Sequence, residues 1–62
     1  MTRFIVKFSA VVLDDKFRET PVVGERTVVA ADAVTATEIV TTELRDEGYH
    51  SLTIKGARDE AE

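Results

Sequence analysis

The stretch that most constrains the fold is RFIVKFSAVVL, residues 3–13, whose side chains alternate with a period of two. One face of this segment is wholly apolar and carries Phe4, Val6, Phe8, Ala10 and Val12. The other face mixes apolar, polar and charged residues. Such alternation is typical of a β-strand, because successive side chains point to opposite sides of the sheet. We therefore expect a central strand with one face covered by a helix and the other exposed.

The next segment, LDDKFRET at residues 13–20, breaks the alternation with charged residues and is followed by Pro21. We expect a loop or a wide hairpin connection here. Strand character returns over residues 22–30, VVGERTVVA, with Gly24 inside the run. We interpret Gly24 as a bulge in an edge strand. A tight turn at Gly24 and Glu25 is the alternative.

A helical stripe follows the second strand, with apolar residues at spacings of three and four. Its members are Ala33, Ala36, Val40 and Leu44, with Ile39 beside them. Asp32 is placed to cap the helix by accepting a hydrogen bond from the amide of Thr35. Thr35 and Glu38 also have the spacing of a capping box, so a later start stays open.

Gly48 stands where a helix commonly ends in a left-handed residue. Residues 49–55, YHSLTIK, then alternate as a third strand, and Gly56 is expected to end it. We predict one α+β domain over residues 1–56, in the order strand, strand, helix, strand, followed by a polar, disordered tail over residues 57–62. The sheet is expected to be antiparallel in the order two, one, three. A parallel pairing of strand three with strand two is the alternative.

The composition limits how so small a domain is stabilised and what it can bind. The chain has 62 residues, no cysteine and one histidine, which excludes disulfides and the usual zinc ligand sets. No segment has the DxDxDG spacing of a calcium loop, and we expect no metal or other cofactor. No apolar run approaches the length of a membrane span, and nothing resembles a secretory signal, so we expect a soluble cytoplasmic protein without a membrane partner.

The net charge of −4 argues against binding nucleic acid, although Arg3, Lys7 and Lys55 would carry such a role. An acidic surface suits a basic protein partner instead.

An acidic cluster surrounds the predicted helix end. Its members lie within eight consecutive positions and are Glu43, Asp46, Glu47 and His50. Carboxylates beside an imidazole suggest acid–base chemistry at first sight. The helical period places the acids on the solvent side of the helix end, and His50 follows the turn. We interpret the cluster as a solvated acidic patch that can be bound by a partner, and we predict that the protein is not an enzyme.

Phe17 is an aromatic residue in a charged loop. It either folds back over the edge of the core or projects as an anchor for a partner, since aromatic residues and arginine concentrate binding energy in interfaces. The predicted partner-binding residues are those of this loop and of the helix end: Asp14, Asp15, Phe17, Arg18, Glu19, Glu43, Asp46 and Glu47.

The uncovered side of the sheet is a second candidate for association. Ile5 and Val11, with Leu13, Val22 or Val23, would expose apolar surface there, and such patches often mark contacts between proteins. The free edges of strands two and three offer sheet extension as a further route. A structural or self-assembling protein that dimerises through a sheet edge or this outer face is therefore the alternative function.

A resemblance rests on the second strand ending VVAADA, the helix segment TEIVTTEL and the following EGY. With an apolar first strand, this order of elements resembles small early proteins of tailed bacteriophages, including phage inhibitors of bacterial RNA polymerase. The resemblance lies in element order and transfers no single residue. It implies a small protein in the host cytoplasm that inhibits a host polymerase or defence complex through an acidic surface.

Overall fold

The computed structural model describes residues 1–61. They form strands β1 (Thr2–Leu13), β2 (Glu19–Ala30) and β3 (His50–Asp59) and one helix, α1 (Ala33–Asp46). The three strands make an antiparallel sheet in the order β2-β1-β3. The predicted α+β class, element order and central first strand are confirmed, and the parallel alternative is wrong.

The core lies between α1 and the face of the sheet that was predicted to be apolar. On β1 the buried residues are Val6, Phe8 and Ala10, as the period of two requires. On α1 they are Ala36, Val40 and Leu44, which are one helical turn apart and form the predicted stripe. Ile39 packs at the margin of this cluster, and Ala33 is half-buried.

Both ends of α1 are set by single residues. Asp32 has extended backbone and its Oδ1 accepts a hydrogen bond from the amide of Thr35 at 2.8 Å, so the alternative later start is wrong. Gly48 has φ 98°, and its amide donates to the carbonyl of Arg45 while the amide of Tyr49 donates to that of Leu44. This pair of hydrogen bonds is the Schellman motif, which needs a left-handed residue and so favours glycine.

Gly24 lies in an uninterrupted strand. β1 and β2 pair residue for residue from Thr2 with Ala30 to Leu13 with Glu19, so the predicted bulge and the alternative turn are both wrong. Gly24 faces Phe8 across the two strands, and a Cβ atom at this position would lie 3.3 Å from Phe8 Cζ. The glycine makes room for the aromatic ring on the core side of the sheet.

β3 is the irregular strand of the sheet. Its register against β1 shifts between Lys7 and Phe8 and again between Ser9 and Val11, each time with an extra residue on β3. The first shift leaves Lys55 without a partner residue on β1. The second contains Ser51, whose φ of 53° is in the left-handed region. Such bulges bend a strand and re-aim its side chains.

β3 is longer than predicted, and the first of these bulges explains why. Beyond Gly56 the strand continues, with Ala57 opposite Val6 and Asp59 opposite Phe4, so a disordered tail from residue 57 is wrong. The added residue returns Ala57 to the core side after Gly56. The amide of Glu60 also donates to the carbonyl of Arg3, and Glu62 lies outside the described residues.

Candidate functional site

The connection between β1 and β2 is a short loop held by one aspartate. The amide of Asp14 donates to the carbonyl of Arg18 at 3.0 Å, and the amide of Phe17 donates to the carbonyl of Asp14 at 2.9 Å. Asp14 Oδ1 accepts from the amides of Lys16 (2.8 Å) and Arg18 (2.9 Å), and Oδ2 accepts from Arg18 Nε at 3.1 Å. Residues 15–17 therefore form a closed hairpin loop, which we call the hairpin tip together with Asp14, Arg18 and Glu19.

The electrostatics of the hairpin tip follow from this hydrogen bonding. The backbone amide of Arg18, with smaller contributions from Lys16 and the Arg18 side chain, holds the pKa of Asp14 below its usual range. Hydrogen bonds to the charged form of a carboxylate favour that form. Asp14 is thus a structural anion at neutral pH, whereas Asp15 and Glu19 are exposed and leave their charges open to a partner.

Phe17 combines an unusual backbone with an exposed side chain. Its φ is 60°, and 83% of its surface is exposed. The interpretation that it covers the core is therefore wrong, and it projects from the hairpin tip. Left-handed backbone costs a residue with a Cβ roughly 1–2 kcal/mol, and three-residue hairpin loops normally place glycine at this position. Folding alone does not account for a phenylalanine here.

The acids at the end of α1 are bound to the sheet by an arginine. Arg26, on β2, makes a two-pronged ion pair with Glu47, with Nη1 to Oε2 and Nη2 to Oε1 both at 2.7 Å. Its Nη1 also lies 3.6 Å from Glu43 Oε2. The side-chain hydrogen bonds with Arg26 lower the pKa of Glu47, and those with Glu47 raise the pKa of Arg26. Most of the predicted acidic patch is thus engaged within the protein.

The two groups of predicted partner-binding residues lie far apart. The ion pair places the end of α1 beside Arg26, and β2 runs a further seven positions from Arg26 to Glu19. At about 3.3 Å per strand residue, this is a separation of about 23 Å. Asp46 is exposed at the helix end, away from the hairpin tip. The structure therefore brings Asp14, Asp15, Phe17, Arg18 and Glu19 together and leaves Glu43, Asp46 and Glu47 as a separate group.

His50 makes no hydrogen bond or ion pair with these acids in the described part of the chain. Its Nδ1 lies 3.5 Å from Ser51 Oγ, and its buried Nε2 has no hydrogen-bond partner within residues 1–61. Across the same residues, no three histidine or carboxylate side chains converge as ligands for a metal ion.

Sequence reasoning missed Arg26, although a signal was present. Side chains alternate between the two faces of the sheet along β2 as they do along β1. Arg26 lies on the same side of the strand as Val22, Gly24 and Val28, which face α1. An arginine directed toward a covering helix requires a carboxylate there, because an unpaired charge is costly when half-buried. The acids of α1 that lie one turn apart, Glu43 and Glu47, were the available partners.

A shallow depression on the other side of the sheet was also missed. Its lining residues are Ile5, Lys7, Gly56, Ala57 and Arg58, and its volume is about 200 Å³. Within residues 1–61, neither Lys7 nor Arg58 has a carboxylate oxygen within 4.0 Å. Arg58 escaped notice because strand β3 was expected to end at Gly56.

Comparisons with protein-family models, with curated proteins and with solved structures found no match for this chain. With 14 residues, α1 is too short to cross a lipid bilayer, and it is the one helix in the described part of the chain.

Proposed function

We propose that this protein is a non-enzymatic interaction module that binds a protein partner through its hairpin tip. The observation that carries the proposal is Phe17, an exposed aromatic residue held in left-handed backbone. Strained residues persist where the surrounding structure enforces them and are concentrated at functional sites. An exposed aromatic side chain beside an arginine has the composition of a binding hot spot.

The rigidity of the loop supports the same proposal. Four hydrogen bonds to the backbone carbonyl and the side chain of Asp14 hold residues 16–18 in place before any partner arrives. Ordering a loop on binding costs affinity, so a loop that is already ordered binds more tightly for the same contacts. Asp14 is accordingly a positioning residue, and Phe17 with Arg18 would make the contact.

The charge of the site favours a basic partner. Asp15 and Glu19 are exposed at the hairpin tip, and the whole chain carries a formal charge of −4. Complementary charge at the rim of an interface raises the association rate and selects among partners. In line with the resemblance to phage early proteins, we propose that the partner is a bacterial host protein, such as a polymerase or a defence complex, and that binding inhibits it in the host cytoplasm.

The test is capture of bacterial proteins from a lysate on the immobilised protein, with charge reversal at Asp15. Asp14 is unsuitable for this purpose because its reversal would open the loop. Asp15→Lys is expected to reduce capture of the specific partner, whereas Glu38→Lys, the same charge change on the exposed face of α1, is expected to leave it intact. Equal capture by both variants would remove the assignment of the acidic hairpin tip.

A further inference from the structure

The free edge of β2 presents a regular row of backbone groups. β2 is an outer strand of the sheet, and it pairs with β1 without a bulge along its whole length. On its other side, the backbone of residues 22–30 has no hydrogen-bond partner in the described part of the chain. Unpaired amides and carbonyls along a strand edge are a template for a further strand.

Three observations show which residues of β2 direct their backbone groups outward. The amide of Asp14 donates to the carbonyl of Arg18, so the even-numbered residues form the hydrogen-bonded pairs between β1 and β2. The amide of Glu60 donates to the carbonyl of Arg3, which places the odd-numbered carbonyls of β1 on the side of β3. Pro21, which has no amide hydrogen, is odd-numbered as well. The outward groups, over about 20 Å of strand, therefore belong to Val23, Glu25, Thr27 and Val29.

The opposite edge of the sheet is blocked, whereas most of the β2 edge is open. β3 carries both bulges, and Lys55 and the left-handed Ser51 lie in them. Bulges and lysine are common devices that keep an edge strand from pairing with another chain. On β2 the corresponding device is Pro21, which stands two residues before Val23 and leaves residues 23–29 open.

The side chains beside this edge determine which segment fits it. On the side of the sheet away from α1, Val23 and Val29 are 77% and 51% exposed, and the exposed Glu25 lies between them. On the α1 side, Val22 and Val28 are only half-buried, so an added strand would cover apolar surface there too. A basic residue opposite Glu25 would complete an ion pair, because residues directly opposite each other in a sheet interact.

We propose that the edge of β2 over residues 23–29 binds an extended, basic segment of a protein partner, which adds a fourth strand to the sheet. Main-chain hydrogen bonds would hold the segment, and its alternate side chains would give selectivity. Apolar residues of the segment would lie beside Val23 and Val29, and a lysine or arginine would lie beside Glu25. This surface begins four residues beyond the end of the hairpin tip at Glu19, and Phe17 takes no part in it.

A second copy of the chain would use this edge less well. Antiparallel pairing of residues 23–29 with themselves about a two-fold axis would place Arg26 opposite Arg26. Like charges directly opposite each other destabilise a strand pair. A shift of the axis toward the hairpin tip brings Pro21 into the pairing, and a shift away from it leaves Val23 beyond the end of the partner strand.

Nuclear magnetic resonance titration of the native protein with a synthetic peptide tests the proposal. The peptide has seven residues and blocked ends, with valine first and last, lysine fifth and threonine elsewhere, so that its lysine meets Glu25 in antiparallel pairing with residues 23–29. At millimolar peptide concentration, the amide signals of residues 23, 25, 27 and 29 are expected to shift, and these amides should exchange their hydrogens more slowly. The even-numbered amides of β2, which are already bonded to β1, should change much less.

Two N-methylated peptides separate main-chain pairing from other contacts. Methylation at the third and fifth residues removes amides that would face β2 and is expected to abolish binding. Methylation at the fourth and sixth residues removes amides that would face away from β2 and is the matched control, which is expected to bind.

A charge exchange tests the contact with Glu25. Glu25→Lys is expected to weaken binding of the lysine peptide by about fivefold, the upper end for a cross-strand pair, and to restore binding for a peptide with glutamate in place of lysine. Glu38→Lys, the same charge change on the exposed face of α1, is expected to leave both affinities unchanged.

Three results would overturn the proposal. The first is the absence of shifts at the β2 edge at millimolar peptide concentration, and the second is equal binding of the two methylated peptides. The third is a shift of the same amides that depends on protein concentration alone, because it would assign the edge to a second copy. Equal weakening by Glu25→Lys and Glu38→Lys would overturn the assignment of a basic segment.

Discussion

Phe17 has a backbone conformation that is costly for the fold, and in our proposal it is the residue that contacts a partner. Its side chain is largely exposed and its backbone is left-handed, so the backbone cost has little packing to offset it. We predict that Phe17→Gly raises the free energy of unfolding by about 1 kcal/mol, because glycine adopts this conformation without a Cβ clash. Phe17→Ala keeps the clash and should stay near the native value. Urea denaturation measures both variants, and a Phe17→Gly variant less stable than Phe17→Ala would show that no such strain exists.

Two glycines within the strands differ in the space available for a side chain. Gly24 faces the ring of Phe8, so Gly24→Val would push that ring out of the core, and overpacking of this kind costs roughly 1–3 kcal/mol. Gly56 has open space around the position of a Cβ atom and no positive φ, so Gly56→Ala should be neutral or slightly stabilising. Thermal unfolding of the two variants separates these expectations. A stability loss at Gly56→Ala as large as that at Gly24→Val would contradict this account of the two sites.

The spacing of apolar residues, together with the capping residues, was enough to predict the four elements and their order. Asp32 and Gly48 also located the ends of α1 correctly, because each acts through local hydrogen bonds. The failures involve partners distant in sequence. Gly24 looked like a bulge because nothing nearby in the chain shows that Phe8 lies across from it. β3 appeared to stop at Gly56 because an extra residue, Lys55, breaks the alternation that continues beyond it.

The candidate site was predicted in part. The tip of the hairpin was recognised from the unusual place of Phe17 in a charged segment, but its left-handed backbone depends on how the loop closes. The acids of α1 were assigned to a partner because Arg26 is remote in sequence from Glu43 and Glu47. Periodicity identifies which residues share a face of one element, and ion pairs between elements require their relative placement as well.

For the whole molecule, three carboxylates link stability to pH. The pKa of Asp14 is lowered in the hairpin tip, that of Asp32 by the Thr35 amide at the start of α1, and that of Glu47 by Arg26. A lowered carboxyl pKa stabilises the fold above the pKa of the unfolded chain, about 4, and this contribution is lost as pH falls through the folded value. We predict that the urea midpoint falls between about pH 5 and pH 2.

The urea midpoint of Arg26→Ala, measured over the same pH range, is the control for the stability that the Arg26–Glu47 ion pair contributes. This variant is expected to be less stable than the native chain at pH 7, and the two curves should converge at low pH because Glu47 is then protonated. A constant difference between the curves over the whole range would show that Arg26 stabilises the protein through packing alone.

The central claim is that the hairpin tip, with Phe17 as its anchor, exists to bind a protein partner. Its most direct test is the amount of one specific bacterial protein that the immobilised chain captures, compared among the native protein, Phe17→Gly and the control Val34→Ala. Since loss of an anchor costs about 2 kcal/mol or more, we predict that Phe17→Gly lowers capture at least about tenfold while remaining fully folded, and that Val34→Ala captures normally. Undiminished capture by Phe17→Gly would contradict the claim.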